Sequence, residues 1–176
     1  MEFLATDSTV YYITIAMTVS YGLLFLYHCV KKDTNSSLTI IAGSLCVGMV
    51  FIHLFSSYKN TMDRDSWLFA QMVVNQYLIW VLLNCGMLLS IFMLHKISKT
   101  QFHYVTRYVF RCLCISITLN LAIHVDIIIL GNRESNWLWS AYSYGEYMMS
   151  VFMFCSVLIA RKWSEVFRWL QLAHAQ

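Results

Sequence analysis

Five long apolar stretches divide this chain, and they constrain its fold more than any other feature. A helix needs roughly 20 apolar residues to cross the hydrocarbon core of a bilayer, and five segments reach that length, at about residues 10–30, 38–58, 67–94, 108–130 and 137–160. The polar connections between them are short, so consecutive helices must run antiparallel and side by side. The sequence therefore predicts an all-α integral membrane protein. The predicted fold is an antiparallel bundle of about five transmembrane helices, with residues 1–176 forming a single membrane domain.

The balance of hydrophobic and charged residues supports this class. Hydrophobic residues make up 59% of the chain and charged residues 12%, whereas an ordinary soluble domain has roughly 25% charged residues. A soluble domain of this length would need more charge to cover its core, but a lipid-embedded one does not. The net charge of +3 is too small to indicate a nucleic-acid partner. The expected partner is the lipid bilayer itself.

The positive charges predict an orientation, because cytoplasmic loops of membrane proteins carry an excess of Lys and Arg. If the N-terminus is outside, nine of these residues face the cytoplasm and three face the exterior. The nine are Lys31, Lys32, Lys96, Lys99, Arg107, Arg111, Arg161, Lys162 and Arg168, and the three are Lys59, Arg64 and Arg133. We therefore expect a multi-pass protein of the plasma (inner) membrane, with its N-terminus outside and its C-terminus in the cytoplasm.

Residues 161–173 follow the fifth apolar segment and have an amphipathic pattern. Four apolar residues share one helical face, and the charged residues lie mostly off it; the four are Trp163, Val166, Phe167 and Leu170. This pattern predicts a C-terminal interfacial amphipathic helix on the cytoplasmic leaflet. The alternative is a simple extension of the fifth helix into water.

Small residues concentrate on the second segment, where Ser44 and Gly48 lie one helical turn apart. Small residues let helices approach closely in lipid. This face is expected either to pack within one chain or to support self-association between two copies.

Six cysteines lie within or at the ends of the apolar segments. None falls in a predicted external loop, so a disulfide framework is not expected. Cys112 and Cys114 form a CxC pair, but residues two apart on a helix face different directions. They are expected to act as small apolar filler rather than as metal ligands.

Seven polar side chains fall in the predicted outer half of the membrane, on four different segments. They are His53, Gln71, Asn75, Asn120, His124, Asp126 and Glu146. The predicted inner half has only His28, His95 and Arg111, near its ends. Polar groups in hydrocarbon usually face protein or water, so the sequence predicts a polar cluster that opens to the outside.

The members of this cluster carry different expectations. Glu146 lies nine residues past Trp137, which is about 13 Å along a helix, and an ionisable carboxyl at that depth predicts a functional role. Asp126 lies closer to the interface, about 200° round a regular helix from His124. The amides of Gln71, Asn75 and Asn120 are expected to join helices by hydrogen bonds.

The histidines also allow a haem hypothesis. His53 and His124 share an outer depth, and His28 and His95 lie near the cytoplasmic ends of two other segments. Paired histidines at two depths are what a b-type haem protein needs. His28 and His95 are more simply interpreted as interfacial residues, so no cofactor is expected and haem is a remote alternative.

Motifs for catalysis are missing from the sequence. The chain has no HExxH, GxSxG or Walker-type glycine loop, so no enzyme is predicted. We expect a protein that acts by intramembrane binding, as an interaction, regulatory or immunity-type subunit that contacts other membrane proteins. The alternative is a small channel, transporter or transport accessory that uses an outward-facing polar cavity. The absence of proline argues against the broken helices of many transporters.

Overall fold

The computed structural model describes residues 3–30, 36–63, 66–131 and 137–173. These residues form helices and no β-strand, which confirms the all-α prediction. The six α-helices are α1 (Phe3–Val30), α2 (Ser36–Thr61), α3 (Trp67–Val74), α4 (Gln76–Ile97), α5 (Tyr104–His124) and α6 (Trp137–Ala173). A π-helical segment, Val125–Ile129, continues α5.

Three helical stretches among the described residues are long and apolar enough to cross a membrane. They are Ser37–Lys59, Gln76–Ile97 and Tyr104–Ile129, with mean hydropathies of 2.2, 2.1 and 2.1. A shorter apolar helix covers Ile15–Val30. The first half of α6 is less apolar, because it carries Ser140, Tyr142, Ser143, Tyr144 and Glu146.

The bundle follows the order of the chain. α1 packs on α2, α2 on α4, α4 on α5, and α5 on α6, while α6 makes smaller contacts with α1 and α2. A continuous apolar core joins these helices, and its fully buried members include Ile41, Ile91, Val109 and Leu113. Burial of these side chains positions the polar residues between them.

Asn75 interrupts the segment that the sequence predicts as one helix over residues 67–94. Its backbone has φ −94° and ψ 5°, and it separates α3 from α4. Its side-chain Nδ2 donates to the carbonyl of Gln71 at 3.0 Å, the same carbonyl that accepts its backbone N–H at 3.0 Å. An Asn side chain that competes for a helix carbonyl in this way disturbs the local helix. The single predicted helix is therefore two helices, and the second ends at Ile97.

The small-residue face of α2 packs inside one chain. A Cβ on Gly43 would lie 3.0 Å from the ring of Phe25 on α1, and a Cβ on Gly48 would fall on the Met87 side chain of α4. Ser44 between them is buried. The close packing predicted for this face is thus made by α1 and α4 of the same chain.

The C-terminal segment differs from the prediction of a separate interfacial helix. α6 runs without a break from Trp137 to Ala173, so residues 161–173 extend the fifth predicted segment. This sequence contains no Pro or Gly after Gly145, and Lys, Arg, Glu and Leu are good helix formers. Amphipathic spacing alone does not distinguish a separate interfacial helix from an extension of the preceding helix.

Candidate binding site around Glu146

The carboxylate of Glu146 on α6 is held by two side chains of α5. Ser116 Oγ lies 2.7 Å from both Oε1 and Oε2 and donates its proton to the carboxylate. Asn120 Nδ2 donates to Oε1, also at 2.7 Å. Ser116 and Asn120 are one turn apart, so they share the face of α5 that meets α6.

Two further residues complete the network. Asn84 Nδ2 on α4 donates to Ser116 Oγ at 3.0 Å, and the Tyr142 hydroxyl on α6 donates to Asn120 Oδ1 at 3.3 Å. Asn84, Ser116 and Asn120 are all buried. The network, which we call the Glu146 layer, therefore connects α4, α5 and α6 by hydrogen bonds in an otherwise apolar environment.

A cavity of about 240 Å³ lies beside this layer. Its apolar lining comes from Met17 of α1, Met49 and Ile52 of α2, and the indole ring of Trp80 on α4. Its polar lining belongs mostly to α6: Tyr142, Ser143, Glu146, Tyr147 and Ser150, with Asn120 of α5. Five helices thus contribute to one space that is lined both by a carboxylate and by apolar side chains.

This arrangement favours a particular kind of ligand. A carboxylate attracts a positive charge or strong hydrogen-bond donors. The rings of Trp80, Tyr142 and Tyr147 can bind a cation through their faces, and methionine side chains adapt to irregular shapes. The cavity therefore suits a cationic or donor-rich group on an apolar stem.

Of the predicted site residues, Glu146 and Asn120 belong to this cluster. Gln71, Asn75 and His53 do not belong to it. Gln71 and Asn75 hydrogen-bond to each other, Nδ2 to Oε1, at 3.4 Å, and Gln71 is exposed. His53 is half-buried and follows Ile52 on α2. It is not one of the described residues that line the cavity.

His124 and Asp126 lie where α5 passes into the π-helical segment. His124 Nδ1 is buried without a hydrogen-bond partner among the described residues, and Asp126 is buried. Neither is a described lining residue of the cavity.

Ser116, Asn84 and Tyr142 were not predicted from the sequence. Ser116 lies four residues before Asn120, on the same helical face, and this spacing could have predicted that Ser116 joins the cluster.

A second polar cluster lies at the other end of α4 and α5, where the sequence predicted no comparable set. Nδ1 of His95 lies 2.7 Å from the carbonyl of Ile91 and must carry the proton, because a carbonyl only accepts. Nε2 of His95 then accepts from Ser37 Oγ at 2.7 Å. Thr106 donates to Ser37 Oγ at 2.8 Å, and the backbone N–H of His103 donates to it at 3.3 Å. We call these residues the His95 layer.

The His95 layer changes the interpretation of His95. His95 is 1% exposed and stacks on Phe102 with ring centroids 4.7 Å apart, so it is a core residue rather than an interfacial one. Both of its ring nitrogens are hydrogen-bonded, which does not fit the axial haem ligand of the remote alternative.

A packed apolar layer separates the two polar clusters. His95 comes eleven positions after Asn84, about 16 Å along α4, and Met87 and Ile91 between them are buried. On α5, Val109 and Leu113 are fully buried between Thr106 and Ser116. The interior of the bundle is therefore polar, apolar and polar in succession.

Within the described residues, no group of three or more His, Cys, Asp or Glu side chains is placed to hold a metal ion. All six cysteines are free. Cys112 is buried and Cys114 exposed, which confirms that the CxC pair faces two directions.

No family model, curated protein or solved structure matches this chain significantly. The class of protein is consequently defined by its own fold, an all-helical bundle with three described helices apolar and long enough to cross a membrane.

Proposed function

We propose that the chain is a five-span protein of the plasma membrane that acts by binding within the bilayer, as an interaction or regulatory subunit. Its N-terminus is outside and its C-terminus in the cytoplasm. α1 and α6 supply the spans beyond the three most apolar helices, and the distribution of Lys and Arg supports this orientation. The Glu146 layer then lies in the outer half of the membrane.

One observation carries the binding role: Glu146 borders a cavity that the bundle leaves open between five helices. A carboxylate needed only to join helices would be enclosed by its donors. Here Ser116 and Asn120 hold the carboxylate at the cavity wall, beside apolar and aromatic side chains. The ligand that fits is a Lys or Arg side chain, or another cationic group, on a helix of a partner membrane protein.

Passage of a proton or a small cation is the second candidate. The hydrogen-bonded series from Tyr142 through Asn120 to Glu146 favours it. The apolar layer formed by Ile91, Val109 and Leu113 argues against it, because these side chains fill the bundle below Glu146. We therefore place binding ahead of conduction.

Photo-crosslinking tests the binding role in native membranes. In one variant a photoreactive amino acid replaces Ser143, which lines the cavity. In a matched control variant it replaces Met148, which is exposed on α6 and lies outside the described lining of the cavity. Ser143 should give one discrete cross-linked protein species, and Met148 should give only lipid adducts. The species should disappear when Glu146→Gln is added.

Two results would overturn the proposal. One is a Ser143 adduct profile identical to that of Met148, and the other is a discrete species that persists in Glu146→Gln. If purified protein in vesicles also conducts protons and Glu146→Gln abolishes the flux, the second candidate replaces the first.

A further inference from the structure

A groove between α5 and α6 begins on α6 at Phe152, six residues past Glu146, and on α5 it reaches the first residue of the helix, Tyr104. Its volume is about 580 Å³. On α5 it is lined by Tyr104, Arg107, Tyr108 and Arg111, which recur at helical spacing, and on α6 by a mainly apolar stripe: Phe152, Cys155, Ser156 and Ile159. None of these residues belongs to the Glu146 layer or its cavity.

The two guanidinium groups are the unusual feature of this groove. Arg107 and Arg111 are one turn apart, so both project along one face of α5, and both are exposed. Arg111 lies seven residues past the start of α5 at Tyr104, about 10 Å along the helix, inside the apolar stretch Tyr104–Ile129. A charge at that position in a membrane needs an anionic partner or a route to the headgroups.

We propose that this groove binds one anionic phospholipid. Arg107 and Arg111 hold the phosphate through charge-assisted hydrogen bonds, which a pair of guanidinium forks makes with good geometry. An acyl chain lies along Phe152, Cys155 and Ile159. Tyr104 and Tyr108 sit at the level where aromatic rings meet headgroups. With the proposed orientation, the lipid comes from the cytoplasmic leaflet.

Charge and shape select this ligand over others. An acidic protein segment would satisfy the arginines but would leave the apolar stripe of α6 uncovered. Free inorganic phosphate would do the same. A phospholipid carries the anion and the hydrocarbon at the spacing that the groove presents.

Native mass spectrometry of the full chain in a neutral detergent tests the inference without reference to orientation or to Glu146. The probes are phosphatidylglycerol and phosphatidylcholine with identical acyl chains, supplied together. The wild-type chain should retain phosphatidylglycerol preferentially. Arg107→Gln with Arg111→Gln should lower that retention about tenfold, since each basic residue near the membrane surface contributes to anionic lipid binding.

Two further variants make the test specific. Lys96→Gln with Lys99→Gln removes the same charge from exposed positions outside the groove and should leave retention unchanged. Ile159→Trp fills the apolar stripe without altering charge and should also lower retention. Thermal unfolding in detergent confirms that each variant is folded.

Three outcomes would overturn the proposal. These are equal loss in the lysine control, unchanged retention in Ile159→Trp, and displacement of the lipid by millimolar inorganic phosphate. The last would identify a free-phosphate site. Because Glu146 takes no part in the groove, Glu146→Gln should retain the lipid as the wild-type chain does, and the failure of one proposal leaves the other standing.

Discussion

Ser116 Oγ on α5 lies 2.7 Å from both carboxylate oxygens of Glu146 on α6. The same hydroxyl accepts a hydrogen bond from Asn84 on α4. A single serine thereby joins three helices, and the carboxylate to which it donates lines the cavity. The consequences of removing either partner follow from this geometry.

Glu146→Leu should destabilise the bundle, and Glu146→Gln should do so much less. Leucine leaves the Ser116 hydroxyl and one donor of Asn120 without their acceptor, at a cost of about 1–3 kcal/mol. Glutamine keeps one acceptor oxygen in nearly the same place. Thermal unfolding of both variants in detergent measures the difference. Equal stability of the two would show that the hydrogen bonds to Glu146 do not hold the helices together.

Gly48→Ala should lower stability, because its Cβ would overlap the Met87 side chain. Overpacking in a core costs about 1–3 kcal/mol, and here movement of the Met87 side chain and the helix preference of Ala offset part of that cost. Gly86→Ala is the matched control, since a Cβ there meets no atom within 4 Å and Ala is favoured over Gly in a helix by about 0.5–1 kcal/mol. Gly48→Ala should be better tolerated in a Met87→Ala background. An equal loss of stability from Gly48→Ala in the wild-type and Met87→Ala backgrounds would contradict the close contact between residues 48 and 87.

The stability of the bundle should fall in mild acid through His103. Its Nδ1 accepts from the backbone N–H of Val105 at 3.4 Å and caps α5, and burial lowers the pKa of His103 below its ordinary 6.5. A base whose pKa is lower in the folded state than in the unfolded state binds fewer protons when the chain is folded. The free energy of unfolding therefore decreases as the pH falls from the unfolded-state pKa towards the lower folded-state pKa. His103→Asn retains a capping acceptor that does not titrate.

The measurement is thermal unfolding of wild type and His103→Asn between about pH 7 and about pH 5. The wild-type chain should lose more stability than the variant across this window. Parallel curves of stability against pH for the two proteins would show that His103 does not contribute to the loss of stability in acid.

The fold could be predicted from sequence further than the site could. Apolar length and short connections predicted helices and their order, because these depend on composition over many residues. The break at Asn75 was missed, since a local hydrogen bond to the Gln71 carbonyl decides it. The continuity of α6 past Ala160 does not follow from the sequence. The amphipathic spacing of residues 161–173 is compatible both with a separate interfacial helix and with a straight extension of α6.

The site was predicted in part, and the reason is geometric. Depth along a helix placed Glu146 and Asn120 in one predicted cluster, and the two side chains do contact each other, but depth does not give the rotation of each helix about its axis. Ser116 and Asn84 meet Glu146 only because α4 and α5 present those faces to it. His95 was placed by its proximity in sequence to Lys96. Phe102, which stacks on its ring, comes from the connection after α4, and no periodicity in the helix reports that contact.

The orientation makes a separate prediction. A reporter that is active only in the cytoplasm should give signal when fused after Gln176 and none when fused after Asp65. Nine basic residues on one side against three on the other motivate this expectation. The reverse pattern would invert the membrane placement of both polar layers.

The proposed binding role requires that a partner's group occupies Glu146 in the native membrane. An apolar carbodiimide that modifies carboxyl groups in hydrocarbon measures this occupancy, with the adduct located by mass spectrometry. The rate of modification at Glu146 is compared in native membranes and in vesicles of the purified chain made with lipids from the same membranes. Modification should be slow in native membranes and faster in the vesicles, where no partner covers the carboxylate. Equal rates in the two preparations would contradict it.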